Sequence, residues 1–249
     1  MATISLCMIV KNESAVLARC LDSIADLMDE IIIVDTGSTD NTKEIAAQYT
    51  SRIYDFKWTS DFSAARNFSF SKATMEYIYT ADADEILDDA NRERFLRLKD
   101  ALLPEIEIVQ MKYVTQGTFD TVLNAKKEYR PKLFRRLRTF TWIDPIHETV
   151  RLTPVTFDSD VEILHCPQSL HSKRDFSIFI KAFEHDGQFS PKIRTMYAKE
   201  LLKTGDKKDF TDAKPIFQLI FDNDPADDAR KEAACVLARI YRMEDNKNE

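Results

Sequence analysis

Two carboxylates separated by one small residue, Asp82-Ala83-Asp84, are the strongest chemical signal in this 249-residue sequence. The apolar run before them, residues 77–81, reads as a strand. At a strand's end, side chains two residues apart project to the same side, so both carboxylates can converge on one point. Like charges that close resist joint ionisation unless a cation compensates. A hard divalent ion such as Mg²⁺ or Mn²⁺ prefers these oxygen ligands and can bridge them to a diphosphate. Taken alone, Asp-x-Asp is equally an ordinary solvated turn, so its meaning rests on its surroundings.

Those surroundings include Val34-Asp35-Thr36-Gly37-Ser38-Thr39-Asp40, which closes an apolar strand expected at 30–34 and holds one of only four glycines. Glycine permits a tight turn and close backbone approach. Ser38, Thr39 and Asp40 read as a capped turn, with Asp40 capping a helix over 41–48. Asp35 is different. It leaves a strand at its carboxyl end, on the sheet edge that carries Asp82 and Asp84, where ligands of open α/β sheets collect. A carboxylate there can accept hydrogen bonds from a nucleotide base or ribose.

The elements that must position these residues are legible. Ile4–Val10 is a continuous apolar run, as expected for a strand covered on both faces. Val16, Leu17, Cys20, Leu21 and Ile24 recur at helical spacing over 14–24. A short strand is expected at 52–56 and a helix at 63–72. This alternation predicts an α/β sheet with parallel strands. Further strands are expected at 106–114, 126–134 and 160–165, with Gly117 in a hairpin turn between the first two. After about residue 172 the pattern is helical. Phe176, Phe179, Ile180 and Phe183 share one face, as do Ala213, Ile216, Phe217 and Ile220, and again Ala233, Leu237, Ile240 and Tyr241. Gly205 and Pro225 separate these helices, which look like the beginning of a helical-repeat array. Two domains are expected, 1–170 and 171–249.

Composition sets outer limits. Apolar residues at 44% and charged residues at 31% fit a soluble globular chain. A net charge of −7 argues against a general nucleic-acid binder. Lys11, Asn12 and Glu13 end the first apolar run well short of a bilayer's thickness, and no other stretch approaches it, so no integral membrane segment is expected. Cys7, Cys20, Cys166 and Cys235 have neither CxxC nor metal-finger spacing. They read as reduced thiols of a cytoplasmic protein.

Taken in order, Val10-Lys11-Asn12-Glu13, Val34 to Asp40, Ala65-Arg66-Asn67 and Asp82-Ala83-Asp84-Glu85 resemble the motifs of family 2 glycosyltransferases. Later, Leu133-Phe134-Arg135, Ile146-His147-Glu148 and His165 are similar to a bacterial subgroup with tetratricopeptide-like helices behind the catalytic domain. The resemblance implies the GT-A fold, the Rossmann-like mixed sheet of nucleotide-diphospho-sugar transferases, with a C-terminal α-helical extension. It further implies an inverting transfer from a nucleotide-diphosphate donor, typically a UDP-sugar, with Mn²⁺ or Mg²⁺ as cofactor. The acceptor would be a saccharide, a lipid-linked sugar or a polypeptide. Relatives of this sort work in the cytoplasm, some peripherally at the inner membrane face.

Carried over residue by residue, the resemblance puts Val10, Asn12, Glu13 and Asp35 around the base. Arg66 would face the diphosphate or ribose, where a planar fork suits better than an ammonium, or it is a helix-surface arginine. Asn67 would reach the base or cap locally. Asp82 would be shared between ribose and metal, Asp84 would be the principal metal ligand, and His165 would return to the cation. Glu148 is the candidate catalytic base, set against a solvated strand-end glutamate, with Glu85 as the fallback or as support for the metal carboxylates. His147 is a weaker metal candidate on spacing; His171 and His185 have no motif around them. The basic stretch from Lys126 to Arg138 alternates with Tyr129, Leu133, Phe134 and Leu137, as in a half-buried strand, and Arg135 could contact donor phosphates or an acidic acceptor.

Rival readings part from this one on sequence. A haloacid-dehalogenase phosphohydrolase would place its Asp-x-Asp after the first strand and follow it with Thr or Val, whereas Glu85-Ile86 follow here. A nucleotidyltransferase would carry an early Gly-rich basic loop, and Gly37 is the only glycine before Gly117. A sugar-nucleotide-binding module without catalysis and a helical-repeat interaction protein complete the alternatives.

Overall fold

A computed structural model describes residues 1–115, 127–136, 142–143, 146, 149–150, 155–166 and 172–245. Alternating strands and helices open the chain: β1 (Ile4–Val10), α1 (Leu17–Ile24), β2 (Glu30–Asp35), α2 (Thr42–Ala46), β3 (Ile53–Asp55), α3 (Phe62–Phe70) and β4 (Tyr77–Thr80). There follow β5 (Glu85–Ile86), α4 (Asp89–Ala101), β6 (Ile108–Thr115), β7 (Lys127–Arg135), β8 (Trp142–Ile143), β9 (Thr149–Val150) and β10 (Thr156–His165). Helices α5 (Ser172–Asp186), α6 (Pro191–Thr204), α7 (Lys207–Asn223) and α8 (Asp227–Asp245) complete it.

The main sheet has eight strands in the order β3-β2-β1-β4-β7-β6-β10-β5, and β8 pairs separately with β9. Strands β3, β2, β1 and β4 run parallel. β7 is antiparallel to both β4 and β6, and β6 is parallel to β10. β1 is apolar on both faces, with Ser5 its one polar residue. Ile4, Leu6, Met8 and Val10 join one core cluster, while Cys7 joins another with Ile32, Val34 and Ile78 on the opposite face. The chain leaves β1 on one side for β2 and β3, then returns on the other as β4. That reversal makes a topological switch point at the carboxyl ends of β1 and β4.

By its contacts the chain forms two compact units. One comprises Met1–Thr59, Ser63–Ile143 and Thr149–Gln168; the other comprises Ser60–Phe62, Asp144–Glu148 and Ser169–Glu249. Within the second, α7 packs along α8, and α6 packs against α5 and α8. Phe176, Phe179, Ala213, Ile216, Phe217, Ile220, Ala233, Leu237 and Ile240 are buried as their spacing predicts. Tyr241 is not. It lies exposed, under the Lys214 ammonium, with its hydroxyl donating to Gln218.

Several element ends differ from the sequence expectation. Helix α1 begins at Leu17 rather than Ser14 because Asn12 is left-handed (φ 55°) and the amides of Val16 and Leu17 both turn back to the Glu13 carbonyl. β10 begins at Thr156 rather than 160, and its first three residues are exposed, so they carry no apolar signal. Helix α4 has no clear apolar periodicity in the sequence. Its sequence is polar, with Phe95 as its one fully buried apolar side chain, although Asp88 caps it by accepting the Asn91 amide at 2.9 Å.

Candidate functional site

Strand order lines the candidate residues along one edge of the sheet: Asp35 at the end of β2, Val10 and Asn12 at β1, Asp82 and Asp84 beyond β4, His165 at the end of β10. Asp35 is buried, and its Oδ1 accepts the amides of Gly37 and Ser38, each at 2.9 Å. Its Oδ2 is buried with no hydrogen-bond partner. A buried carboxylate oxygen with an unmet bond is costly unless a ligand supplies the donor. Gly37 has φ +102°, so the turn that delivers those two amides needs a glycine for its backbone rather than for space.

Ser38, Thr39 and Asp40 do more than cap a turn. Ser38 Oγ accepts the Asn12 amide at 2.9 Å, and Asn12 Oδ1 accepts the Thr39 amide at 2.7 Å. Asp40 takes the Ser14 amide on one oxygen and the Thr42 amide and hydroxyl on the other. The residue at the helix cap position is Asn41, which makes no side-chain cap bond. The loops after β1 and β2 are thereby stitched together. Val10 is buried and its carbonyl accepts from Thr36; Asn12 is exposed and Glu13 half-buried. Arg66 and Asn67 are half-buried on α3, and the Arg66 charge acts on Asp82.

The turn from Asp82 to Glu85 is pinned on every side. The Asp82 carbonyl accepts the Glu85 amide at 3.1 Å, and the Asp84 carbonyl accepts the Cys166 amide at 2.9 Å. Asp82 is open to solvent, yet burial is the largest influence on its carboxyl. Burial opposes its ionisation, but the charges of Lys132, Arg66, Arg130 and His165 prevail and hold it below the usual carboxylate range. Asp84 Oδ2 stands 3.0 Å from His165 Nε2. His165 Nδ1 is buried without a partner, and the ring lies against Tyr113 with centroids 5.0 Å apart.

Glu85 is not poised to act as a base. It is 2% exposed, its Oε1 lies 2.5 Å from Lys132 Nζ, and its Oε2 accepts the Asp82 amide. Burial lifts its carboxyl to about 6 in spite of the Lys132 charge. Lys132 and Arg130, from the basic stretch, and Tyr113 are neighbours whose place at the site spacing does not reveal. Arg130 sits 3.7 Å above the Tyr113 ring. A basic residue inside an alternating strand directly followed by an apolar pair was the available signal for Lys132. Arg135 lies at the other end of β7, opposite Tyr77, and so away from the acidic turn. There it lines a separate cavity of about 250 Å³ with Met1, Glu76 and Tyr77. The candidate base Glu148, with His147, His171 and Gly117, lies outside the described residues.

Among the described residues no three His, Cys, Asp or Glu side chains form a metal cage. Asp84 and His165 nevertheless offer a mixed oxygen and nitrogen donor set. A carboxylate oxygen and an imidazole nitrogen at one point are donors that a cation such as Mn²⁺ would accept.

A mixed sheet with an acidic turn at its switch point is the architecture of the GT-A glycosyltransferases. Glucosyl-3-phosphoglycerate synthase of Mycobacterium tuberculosis, solved with Mn²⁺, UDP-glucose and phosphoglyceric acid, matches it with a TM-score of 0.53 at 19% identity, over 76% of this chain and 82% of that one. The same enzyme with Mg²⁺ and UDP gives 0.52. The profile of glycosyl transferase family 2 matches residues 5–153, and the chain belongs to that family. Relatives include a TPR repeat-containing protein of Synechococcus elongatus, 48% identical over 35% of this chain and 22% of its own length. The SPbeta prophage-derived glycosyltransferase SunS of Bacillus subtilis is 33% identical over 51% of this chain and 31% of its own. The lipopolysaccharide core biosynthesis glycosyltransferase LpsC of Rhizobium meliloti is 31% identical over 38% and 33%. The matches thus span about a fifth to a third of these relatives.

Proposed function

We propose that the chain is the sugar-transferring part of an inverting glycosyltransferase that uses a UDP-sugar and a divalent cation. The observation that carries this reading is the line of unsatisfied or closely spaced polar groups along one sheet edge: Asp35 Oδ2 without a partner, then Asp82, then Asp84 at 3.0 Å from His165. Asp35 would accept from the base, with Val10, Asn12 and Glu13 shaping that end and Asn67 near it. Arg66 would face the diphosphate, and Asp82 would be shared between ribose and cation. Asp84 and His165 would hold Mn²⁺ or Mg²⁺, which when bound stabilises negative charge on the departing diphosphate. Glu148 would take the proton from the acceptor hydroxyl.

The acceptor would be a saccharide, a lipid-linked sugar or a polypeptide, with 1–170 as the catalytic domain and 171–249 as a helical extension. No helix among the described residues is long and apolar enough to cross a membrane. Buried free thiols at Cys7 and Cys20 suit the reducing cytoplasm. A thermal-shift screen of UDP-, GDP- and dTDP-sugars with and without Mn²⁺ tests the donor, because a ligand of the folded state raises its melting temperature by mass action. A UDP-sugar shift that needs Mn²⁺ supports the reading; equal shifts from all nucleotides, or none, contradict it.

A further inference from the structure

Resting on the donor-site reading above, we propose that Glu85 and Lys132 are positioning residues that act as a single unit on the Asp82–Asp84 turn. The pair is almost closed to solvent, with side chains 2% and 7% exposed and Oε1 2.5 Å from Nζ. Removing two charges from water is expensive, and an apolar pair of the same volume would hold the strands together as well or better. Its position accounts for it. Glu85's second oxygen accepts the Asp82 amide at 3.2 Å, so the carboxylate closes the very turn that presents both aspartates. Glu85 also lies opposite His165 in the β5–β10 pairing, so its backbone sets the strand end from which His165 meets Asp84. Lys132, from β7, fixes the carboxylate that closes the turn. Its carbonyl accepts the Thr80 hydroxyl at 3.5 Å, tying the same residue to the last position of β4.

The ion pair therefore joins β5 to β7 beside the acidic turn, while backbone contacts of the same two residues reach β10 and β4. Glu85→Gln keeps an oxygen for the Asp82 amide but leaves the Lys132 ammonium buried without a counter-charge. Lys132→Met has the converse effect. The double variant Glu85→Gln/Lys132→Met removes both charges and keeps the volume, and it is the variant expected to fold where a single one does not.

The test is calorimetric titration of UDP in Mn²⁺ and in EDTA, with circular dichroism to establish the folded fraction. In the folded double variant the gain in UDP affinity on adding Mn²⁺ should fall by about tenfold or more, the range typical of groups that support metal ligands. UDP affinity in EDTA should move less than twofold. A folded single variant should lose no less than half as much as the double, because the two residues act together. A folded double variant that gains as much from Mn²⁺ as wild type overturns the positioning role, and so does an equal loss with and without Mn²⁺. Wild-type protein that gains nothing from Mn²⁺ contradicts the donor-site reading itself, a separate failure.

Discussion

His165 Nε2 stands 3.0 Å from Asp84 Oδ2, although Asp84 lies in the turn before β5 and His165 closes β10, and those two strands share only a short pairing. The contact is built by backbone: the Cys166 amide donates to the Asp84 carbonyl at 2.9 Å, so each chain segment holds the other in place. With His165 Nδ1 buried and unpartnered, the imidazole meets this site through Nε2. His165→Ala should weaken the Mn²⁺ dependence of UDP binding by roughly tenfold or more, since even groups behind a ligand cost that much. Titration of Mn²⁺ against fixed UDP checks it; an unchanged midpoint would remove His165 from the cation site.

Asp35 offers a separate test at the other end of the edge. In Asp35→Asn the one remaining oxygen satisfies the Gly37 and Ser38 amides, which puts an NH₂ group where Oδ2 was. A ligand donor then meets a donor. UDP affinity should fall by a factor of about 10 to 100, the cost of one unmet buried hydrogen bond. The Mn²⁺ dependence should persist, because Asp84 and His165 are untouched. Full UDP affinity in this variant would mean that the base does not reach Asp35.

Asp40 gives a prediction about stability and pH. Burial raises its carboxyl, but bonds from Thr42 and Ser14 outweigh that and hold it at about 2. The folded value lies below the unfolded value of about 3.9, so the stabilisation is present above the unfolded pKa and lost as pH falls through the folded one. Linkage gives at most about 2.5 kcal/mol at pH 7, and roughly 1–2 kcal/mol after allowing for solvent at this half-buried group. Urea unfolding of Asp40→Asn should show that deficit at pH 7, shrinking to about half at pH 3. A deficit independent of pH would show that the loss comes from something other than the charge.

Tyr197 lies at the centre of the helical unit, stacked on Phe179 at 4.7 Å, and its hydroxyl is buried without a partner. Removing an unsatisfied buried hydroxyl while keeping the ring should be neutral or stabilising, by up to about 1–2 kcal/mol. Thermal unfolding of Tyr197→Phe measures this. A clear loss of stability would reveal a bound water or polar partner.

The strands before Asp35 and Asp82 were readable because burial on both faces writes a mainly apolar run, and each run stops short of or at the carboxylate. The stitching of Asn12 to Ser38 and Thr39 was not readable, since it depends on two loops 26 and 27 residues apart that meet only in space. Lys132 was harder still. In an alternating basic stretch it looks like its solvated neighbours, and only the β4–β7 pairing puts it under the acidic turn. The same register sends Arg135 to the opposite edge, which spacing alone could not decide. Helix α4 failed to register because charged residues fill its exposed faces and its apolar stripe is narrow.

Release of free UDP from a UDP-sugar, with Mn²⁺ present, is the measurement that bears most directly on the acidic turn. Wild-type protein should release UDP slowly to water even without an acceptor, and Asp84→Ala should lower that rate by about 100-fold or more, as loss of a cation that stabilises the departing charge would. EDTA should do the same to wild type. Release that continues unchanged in Asp84→Ala would contradict the assignment of this turn as the cation-binding centre.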